Sequence, residues 1–231
     1  MTAGEVHIWR IDLDQADAER RRCWALLSPD ERERAMRFRF AVHRRRFTVA
    51  HGALREILGQ YAAADPRDLR FGAGENGKPF LESEPVTFNL SHSAELAVLA
   101  VGTDVRIGVD VEHQRADSDH LAIADRFFSP REAAVLRAID PESRPDAFLE
   151  CWTRKEAYIK ALGAGLSIAL DSFDVAFGPG VAPAFLRVDG DPDAPLRWTL
   201  HDVDIDPGYR AALMVEGRGH GLLRRAWAPA S

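Results

Sequence analysis

The chain is poor in cysteine and has no long apolar run. Its 231 residues include two cysteines, Cys23 and Cys151, with no Cys-x-x-Cys pair, which argues against a structural zinc site. No stretch approaches the roughly 20 apolar residues that span a bilayer, and the N-terminal residues lack the apolar segment of a secretory signal. We therefore expect a cytoplasmic protein with no membrane partner.

The common glycine patterns that bind phosphate are also missing. The turn-rich segment GAGENGKP, residues 72–79, matches neither a Walker A sequence nor the Gly-x-Gly-x-x-Gly fingerprint. Lys78 lies in this segment between Gly77 and Pro79. Its ammonium is either a phosphate contact on a short, stiff loop or an ordinary solvated group.

Positive charge is concentrated in one segment. The formal net charge is −6, which excludes general nucleic-acid binding by the whole chain. Residues 32–46 nevertheless contain seven arginines and one acid, Glu33. A local basic cluster in an acidic chain indicates either a specific anionic ligand or a solvated helix face.

The second half of the chain repeats the pattern of the first. Strand-like alternation at residues 6–13 and 105–111 is followed by Ser-Pro-x-Glu capping boxes at residues 28–31 and 129–132. Each box precedes a long helical segment, and each half closes with strand signals. The helices are expected at about residues 42–61 and 146–162, and the closing strands at residues 86–90, 96–101, 172–177, 196–202 and 210–215.

This repeat predicts an α+β fold of two similar α/β lobes related by a pseudo-two-fold axis. The first lobe would span residues 1–103 and the second residues 104–231. No long linker separates them, so we expect the lobes to pack tightly and share one cleft. Residues 178–195, rich in Gly, Pro and Asp, are expected to form an exposed hairpin or loop.

Two carboxylates are expected on one face of a strand. In IGVDVEH, residues 107–113, Val109 and Val111 alternate with Asp110 and Glu112, which places the two acids about 7 Å apart on the opposite face. Such like charges repel unless a cation neutralises them. The pair therefore indicates a site for a hard divalent cation, or else the solvated face of an edge strand.

A helix is expected to supply a third carboxylate and an ammonium. Trp152, Glu156 and Lys160 follow the i, i+4, i+8 spacing of one helical face, and Gly163 and Gly165 end the helix. If this face meets the strand acids, the site suits chemistry on a phosphate ester or anhydride. The alternative for Glu156 and Lys160 is a common surface ion pair.

The polar segment NLSHS, residues 89–93, is expected to form a short turn between two strands. A catalytic triad with Ser91 or Ser93 as nucleophile is disfavoured, because neither serine lies in a Gly-x-Ser-x-Gly elbow. His92 is then either a phosphate-binding residue or a structural turn histidine.

Together these motifs resemble the 4′-phosphopantetheinyl transferase superfamily, in its larger, pseudo-dimeric, surfactin-synthetase-activating type. The resemblance runs along most of the chain. Its blocks are residues 28–51, 76–79 (NGKP), 88–93 (FNLSHS), 107–112 (IGVDVE), 152–160 (WTRKEAYIK), 165–167 (GLS) and 170–173 (LDSF).

The resemblance implies an enzyme that transfers the 4′-phosphopantetheine arm of coenzyme A to a serine of an acyl or peptidyl carrier protein. Adenosine 3′,5′-bisphosphate would be released. It implies Mg²⁺, with Mn²⁺ as a substitute, held by Asp110, Glu112 and Glu156. Glu156 would also help to deprotonate the serine, directly or through water, and Lys160 would neutralise the pyrophosphate. An active monomer is implied as well.

The coenzyme A contacts implied by the resemblance lie mostly in the first half. They are Arg46, Gly77, Lys78, Pro79, Asn89, Ser91, His92 and Lys155, with Arg34 as a weaker match.

Two positions depart from the family pattern. Glu31 stands where some relatives carry a lysine, which would redistribute basic contacts among Arg34, Arg37 and Arg39. His51 also differs from its usual counterpart and is assigned no role.

Two other functions stay open, and the identity of the carrier and its pathway is not predicted. A Mg²⁺-dependent coenzyme A or nucleotide pyrophosphatase would cleave the same anhydride with water. A non-catalytic coenzyme A or RNA-binding module would use the basic cluster, with Phe38, Phe40 and Phe47 either as stacking platforms or as a core stripe.

Overall fold

The elements of the first half recur in the same order in the second half. The computed structural model describes residues 4–82, 85–114 and 119–228, so the ends of both predicted lobes lie outside the described residues. The first half contains β1 (Glu5–Asp12), α1 (Asp17–Leu26), α2 (Pro29–Met36), α3 (Ala41–Ala62), β2 (Phe71–Ala73), β3 (Pro79–Leu81), β4 (Val86–Ser93) and β5 (Leu96–Thr103).

The second half contains a matching set with one short additional helix and one additional strand. Its elements are β6 (Ile107–His113), α4 (His120–Phe127), α5 (Pro130–Ala138), α6 (Arg144–Leu162), β7 (Phe173–Val175), β8 (Phe185–Val188), α7 (Ala194–Arg197), β9 (Trp198–Asp202), β10 (Tyr209–Glu216) and β11 (Gly221–Ala226). Short 3₁₀ turns at Gly165–Ser167 and Leu170–Ser172 follow α6.

In each half, one central strand pairs with the first strand of that half and with the strand that precedes it in the chain. β5 pairs antiparallel with β1 and β4, and β10 pairs antiparallel with β6 and β9, so both sheets have the same topology. The hairpins β2–β3 and β7–β8 are likewise equivalent. β11 departs from the repeat because it joins the first sheet, parallel to β1. The α+β fold with two similar halves is confirmed, while the division at residue 103, which β11 crosses, stays a prediction.

The elements form four layers, which are α3, the first sheet, the second sheet and α6. Residues of both sheets, among them Ile8, Val98, Val109 and Val111, form a core between the sheets. α3 packs on the outer face of the first sheet, and α6 packs on the outer face of the second. Because Val109 and Val111 face inward, the acids that alternate with them face α6.

β6 lies beside β4 at a seam where side chains replace strand pairing. Asn89, Ser91 and Ser93, on one face of β4, accept hydrogen bonds from backbone N–H groups of β6. The donors, in the same order, are Val109 at 2.7 Å, Val111 at 3.4 Å and His113 at 3.1 Å. This β4–β6 seam satisfies N–H groups at the edge of β6 that β10 does not cover.

The expected turn at residues 89–93 is wrong. These residues lie inside β4, and the turn to β5 falls at Ala94 and Glu95. Asn and Ser are poor strand formers, but at the β4–β6 seam their short polar side chains satisfy the neighbouring strand. Residues 72–79, expected to be rich in turns, do form the turn of the β2–β3 hairpin, and residues 178–195, expected to be a hairpin or loop, contain β8, which pairs with β7, and the beginning of α7.

The predicted long helices and capping boxes are confirmed. α3 and α6 extend each prediction by one or two residues, and both boxes show the reciprocal serine–glutamate hydrogen bonds. Cys151 is a buried thiol whose pKa is raised well above its ordinary value by burial. None of the described helices has the length and apolar character needed to cross a membrane.

In the first half, the capping box is tied to the long helix by an ion pair. Glu31 accepts hydrogen bonds from the Ser28 N–H and, at 2.7 Å, from Arg55 Nε. Arg55, 2% exposed, also donates to the carbonyl oxygens of Pro66 and Leu69. The carboxylate is additionally bonded to the imidazole of His51, which gives that residue a structural partner.

The second half repeats this arrangement about one hundred residues later. Glu132 accepts hydrogen bonds from the Ser129 N–H and, at 2.7 Å, from Lys155 Nζ. Lys155 also donates to the carbonyl oxygens of Leu170 and Phe173. The internal repeat therefore extends to a buried acid–cation pair that holds a short helix against a long one.

We expect the Glu31 ion pair to make unfolding sensitive to acid. Burial alone would raise the pKa of Glu31, but hydrogen bonds from His51, Ser28 and Arg55 lower it to about 2. A pKa lowered from 4.5 to about 2 stabilises the folded state by roughly 3 kcal/mol. This stabilisation is present above the unfolded-state pKa and is lost as the pH falls toward 2. The native chain and Glu31→Gln should differ in the free energy of unfolding measured in urea. That difference should be roughly 2 kcal/mol smaller at pH 3 than at pH 5.

Glu33→Gln is the matched control for this measurement. Glu33 lies in the same helix and pairs with Arg37 at the exposed surface. Its substitution should change the acid dependence of the unfolding free energy much less. Equal pH dependence for the two variants would contradict the assignment.

Candidate active site

Two acids of β6 are held on the face that α6 covers. Ser91 Oγ donates to Asp110 Oδ1 at 2.9 Å, and Ser93 Oγ donates to Glu112 Oε2 at 2.7 Å. Asp110 is 3% exposed, whereas Glu112 lies nearer the surface. The solvated edge-strand alternative is wrong for Asp110, whose carboxylate is enclosed between β4 and α6.

α6 brings Glu156 and Lys160 to the same place. Lys160 Nζ lies 2.6 Å from Asp110 Oδ1 and 2.9 Å from Ser91 Oγ. Among the residues that the structure describes, the carboxylate paired with Lys160 is that of Asp110 on the neighbouring strand, not Glu156 one turn away. The simple surface ion pair within α6 is therefore not formed.

Burial perturbs the two acids, and neighbouring negative charge adds to the effect at Glu156. The pKa of Glu156 is raised, first by burial and then by the negative charges of Asp110 and Glu112, against the opposing effect of Lys160. Burial also raises the pKa of Asp110, although Lys160 and Ser91 stabilise its charged form. A carboxyl with a raised pKa is a stronger base once ionised, which suits Glu156 for proton abstraction.

The carboxylate oxygens of Asp110, Glu112 and Glu156 are the type of ligand that a hard divalent cation prefers. Asp110 Oδ2 is buried and accepts no hydrogen bond from the described residues, so one oxygen is available to a metal. As the side chains stand, no group of three or more potential ligands within residues 4–82, 85–114 and 119–228 is arranged around one point. Lys160 supplies the positive charge beside Asp110 instead.

A cavity of about 610 Å³ opens beside Glu156 and Lys160. Its lining divides by chemistry into a polar set, called the polar wall here, and a largely apolar set, called the apolar wall. The polar wall contains Asn76, Gly77, Lys78, Pro79, Asn89, Glu156, Lys160, Gly163 and Gly165, and the other contains Phe127, Trp152, Ile159, Ile168, Ala169 and Leu170. The predicted contacts Gly77, Lys78, Pro79 and Asn89 thus lie in one cavity with both predicted catalytic residues.

Lys78 has a structural role in addition to its place in the cavity. Its Nζ donates to the carbonyl oxygens of Ile107 at 2.8 Å and Ala161 at 3.0 Å, joining the β2–β3 hairpin to β6 and α6. Burial lowers its pKa to about 8. Gly163 accommodates this lysine, since it adopts a left-handed φ of 66° and a side chain there would meet the Lys78 stem. The solvated-loop interpretation of Lys78 is wrong.

His92 lies near the cations Lys160 and Arg34 but is not part of the cavity lining. Its side chain is solvent-accessible, yet its pKa is lowered, first by partial desolvation and then by His51, Lys160, Arg34 and His43. The structural-turn interpretation of His92 is wrong because it lies in β4. The surrounding positive charge suits an anionic ligand.

The predicted contact Lys155 is wrong. Its side chain is 0% exposed and its ammonium is fully engaged by Glu132 and two carbonyl groups, so it cannot reach a ligand. The sequence motif places Lys155 next to Glu156, but adjacent helical residues point about 100° apart. Lys155 therefore faces α5 while Glu156 faces the cavity.

Ser91 and Arg46 are also placed differently from the prediction. Ser91 is 5% exposed and its hydroxyl is used at the β4–β6 seam. Arg46 does not line the cavity, and its guanidinium bonds to Asp14 at 2.8 Å and to Glu95 at 3.2 Å. A ligand role for Arg46 would require it to leave these carboxylates.

The basic cluster divides into several environments. Arg32 donates to backbone carbonyls of α1, Arg37 pairs with Glu33, and Arg34 lies over the ring of Phe47. Phe47 is buried, whereas Phe38 and Phe40 are 37% and 56% exposed. The three phenylalanines are thus neither one core stripe nor one exposed platform.

Several site residues were not predicted from the sequence. In the apolar wall, Phe127 comes from the end of α4 and Ile168 and Leu170 from the segment after α6, and only tertiary packing brings them to Trp152. One feature of the sequence could have indicated that Ser93 belongs to the site. It stands two and four residues after Ser91 and Asn89, the spacing of one strand face.

Comparison with known proteins gives one consistent family. Residues 106–214 match the 4′-phosphopantetheinyl transferase superfamily model, and residues 15–104 match the model for the N-terminal part of 4′-phosphopantetheinyl transferase. The chain is 41% identical to 4′-phosphopantetheinyl transferase HetI of Nostoc sp., covering 95% of this chain and 91% of that protein. It is 32% identical to 4′-phosphopantetheinyl transferase Sfp of Bacillus subtilis, covering 88% of each.

Similarity to solved structures is weaker. The holo-[acyl-carrier-protein] synthase of Thermotoga maritima matches with a TM-score of 0.40 and 19% identity, over 50% of this chain and 65% of that chain.

Gly108 is expected to control how closely β6 approaches α6. A Cβ at this position would overlap the Ala157 carbonyl oxygen and the Ala161 backbone of α6. Gly108→Ala should therefore push α6 away from Asp110 and destabilise the fold by about 1–3 kcal/mol, the usual cost of overpacking. Urea unfolding measures the loss.

Gly74→Ala is the matched control, because a Cβ there would meet only ordinary van der Waals contact with Lys78 O, at 3.6 Å. Equal stability of Gly108→Ala and Gly74→Ala would contradict the close approach of β6 and α6.

Proposed function

This chain belongs to the 4′-phosphopantetheinyl transferase superfamily, and from that premise we propose how its cleft transfers the 4′-phosphopantetheine group of coenzyme A to a serine of a carrier protein. As an enzyme of this family, it uses coenzyme A and modifies carrier proteins. The observation that carries the proposal is that Glu156 and Lys160 line one cavity while Lys160 is paired with the buried Asp110.

Asp110, Glu112 and Glu156 are proposed to hold Mg²⁺, or Mn²⁺ in its place. The unpartnered Asp110 Oδ2 and the rise in the pKa of Glu156 caused by burial and by the nearby Asp110 and Glu112 support this assignment. A bound divalent cation would neutralise pyrophosphate charge and usually keeps several of its waters. Lys160 offsets part of the negative charge of the same region.

Glu156 is proposed as the base that removes the proton from the attacking serine hydroxyl, directly or through water. The serine oxygen then bonds to the phosphorus next to the pantetheine arm, while the anhydride bond to the adenylate side breaks. Lys160 lies close enough to Asp110 to stabilise negative charge that develops on the leaving adenosine 3′,5′-bisphosphate. Chemistry of this type depends mainly on positioning and charge stabilisation.

The nucleotide end of coenzyme A is proposed to lie on the polar wall. His92, Asn89 and the Gly77–Lys78–Pro79 segment would contact it, and the nearby Arg34 adds positive charge. The apolar wall with Phe127 and Trp152 would then face the rest of the substrates.

Residues from both halves of the chain line one cavity, so we propose that a single chain is active. Size-exclusion chromatography with light scattering should find the activity in a species with the mass of one chain, and activity confined to a trimer would contradict this. The proposed compartment is the cytoplasm, where fractionation of the source cells should place the chain. The pathway of the carrier, whether fatty-acid, polyketide or non-ribosomal peptide, is left to the assay below.

Mass spectrometry of carrier proteins tests the function. Candidate acyl and peptidyl carriers are incubated with the chain, Mg²⁺ and coenzyme A, and each substrate carrier should gain one phosphopantetheine group on a serine. EDTA should abolish transfer and excess Mg²⁺ or Mn²⁺ should restore it, because the proposed ligands are hard oxygens. Full transfer in EDTA would remove the metal from the proposal.

The same assay separates transfer from the two alternatives. A pyrophosphatase would release adenosine 3′,5′-bisphosphate from coenzyme A without any carrier. A non-catalytic binding module would leave both coenzyme A and the carriers unchanged.

Lys160 and His92 should have different kinetic effects. Lys160 acts on charge that develops in the transition state, so Lys160→Ala should lower kcat on the order of a hundredfold. His92 is proposed to bind the nucleotide in both ground and transition states, so His92→Ala should mainly raise the KM for coenzyme A. Steady-state kinetics on both variants measures this difference.

Arg67→Ala is a suitable control, since Arg67 pairs with Asp65 on an exposed loop away from the cavity. Its kinetic constants should match those of the native chain. Normal turnover by Lys160→Ala would show the proposed mechanism to be wrong, even though the family assignment would stand.

A further inference from the structure

Side chains on the polar face of β4 make repeated contacts with β6, and the proposed mechanism gives these contacts no role. Thr87, Asn89, Ser91 and Ser93 follow one another at a spacing of two on this strand. Among the described residues, the Asn89 side chain accepts its hydrogen bond from the backbone of β6 across the β4–β6 seam. Ser91 and Ser93 differ from it because each hydroxyl contacts both the backbone of β6 and an acidic side chain of the same strand.

We propose that Ser91 and Ser93 are positioning residues that orient Asp110 and Glu112 toward the cation. This inference rests on the proposed function, because it concerns the same metal ligands. It replaces the coenzyme A role expected for Ser91 and gives Ser93 a role that the sequence did not suggest.

The hydrogen-bond partners of Ser91 Oγ determine where its proton points. A serine hydroxyl has one proton to donate and two lone pairs to accept with. Ser91 Oγ accepts from Lys160 Nζ at 2.9 Å and from the Val111 N–H at 3.4 Å. Its single proton is therefore directed to Asp110 Oδ1, 2.9 Å away.

This contact leaves the two oxygens of Asp110 in different states. Oδ1 receives both Ser91 and Lys160, whereas Oδ2 is buried and has no partner among the described residues. Holding Oδ1 fixes the rotation of the carboxylate and so fixes where Oδ2 points. Hydrogen bonds to ligating carboxylates commonly orient them in this way.

Ser93 repeats the arrangement one strand period later. Its Oγ accepts from the His113 N–H at 3.1 Å and donates to Glu112 Oε2 at 2.7 Å. In both cases the N–H belongs to the residue that follows the acid. Each serine thus links an acidic side chain to the backbone N–H of the residue that follows it. This contact restricts the rotamers of the acidic side chain, which lowers the entropy cost of metal binding.

Metal affinity, measured separately from activity, tests the proposal. The probe is Mn²⁺, with free ion counted by electron paramagnetic resonance in the presence of saturating coenzyme A. Ser91→Ala and Ser93→Ala should each weaken Mn²⁺ binding roughly 10-fold or more, as loss of an orienting partner typically does. Ser93→Thr keeps the hydroxyl and should restore most of the affinity.

Thr87→Val is the matched control. Thr87 lies on the same face of β4, and its Oγ1 is buried without a hydrogen-bond partner among the described residues. Removing this hydroxyl should leave Mn²⁺ affinity unchanged. Melting temperatures of all variants show whether each is folded, and because the two serines act on different acids, either one alone can support the proposal.

The outcomes separate this proposal from the proposed function. Weaker binding by the alanine variants, with native affinity in Thr87→Val and recovery in Ser93→Thr, supports it. Native Mn²⁺ affinity in both alanine variants overturns the positioning role while leaving the metal site intact. No Mn²⁺ binding by the native chain overturns both the positioning role and the metal site, and the carrier assay then reports independently on transfer.

Discussion

The β4–β6 seam is the interaction on which the rest of the cleft depends. Two sheets from the two halves of the chain meet there, and the edge of β6 is satisfied by short polar side chains rather than by another strand. Buried N–H groups without partners would be costly, so these side chains are required for the sheets to meet at all. The same contacts bring Ser91 to Asp110 and hold the acidic face of β6 toward α6.

A second constraint is repeated in both halves. Glu31 with Arg55, and Glu132 with Lys155, hold a short capped helix against a long helix and also satisfy nearby carbonyl groups. Burying such charges is expensive unless each hydrogen-bonding position is used, which the paired carbonyl oxygens ensure. The duplication therefore preserved a polar core interaction as well as the order of strands. It also removed Lys155 from the set of possible ligand contacts.

The charges at the cleft are held close together at an energetic cost. Asp110 and Glu156 are both buried enough to have raised pKa values, and Lys160 offsets part of that cost from across the layer. Groups whose ionisation is shifted by burial and by one another are typical of sites that carry out chemistry. Gly108 contributes by having no side chain, which lets α6 come close enough to β6 for these groups to meet.

The sequence by itself determined the repeat, the long helices, the capping boxes and the family, because periodicity and local motifs record them. It also identified Asp110, Glu156 and Lys160, since strand and helix periods put each on a definite face. It could not decide which neighbours those faces meet. Only the tertiary structure placed Lys155 in the core, turned residues 89–93 into a strand, paired Lys160 with Asp110 and made Ser93 a partner of Glu112. These outcomes depend on contacts between residues far apart in the chain, and local periodicity contains no information about the partner that will satisfy a given polar group.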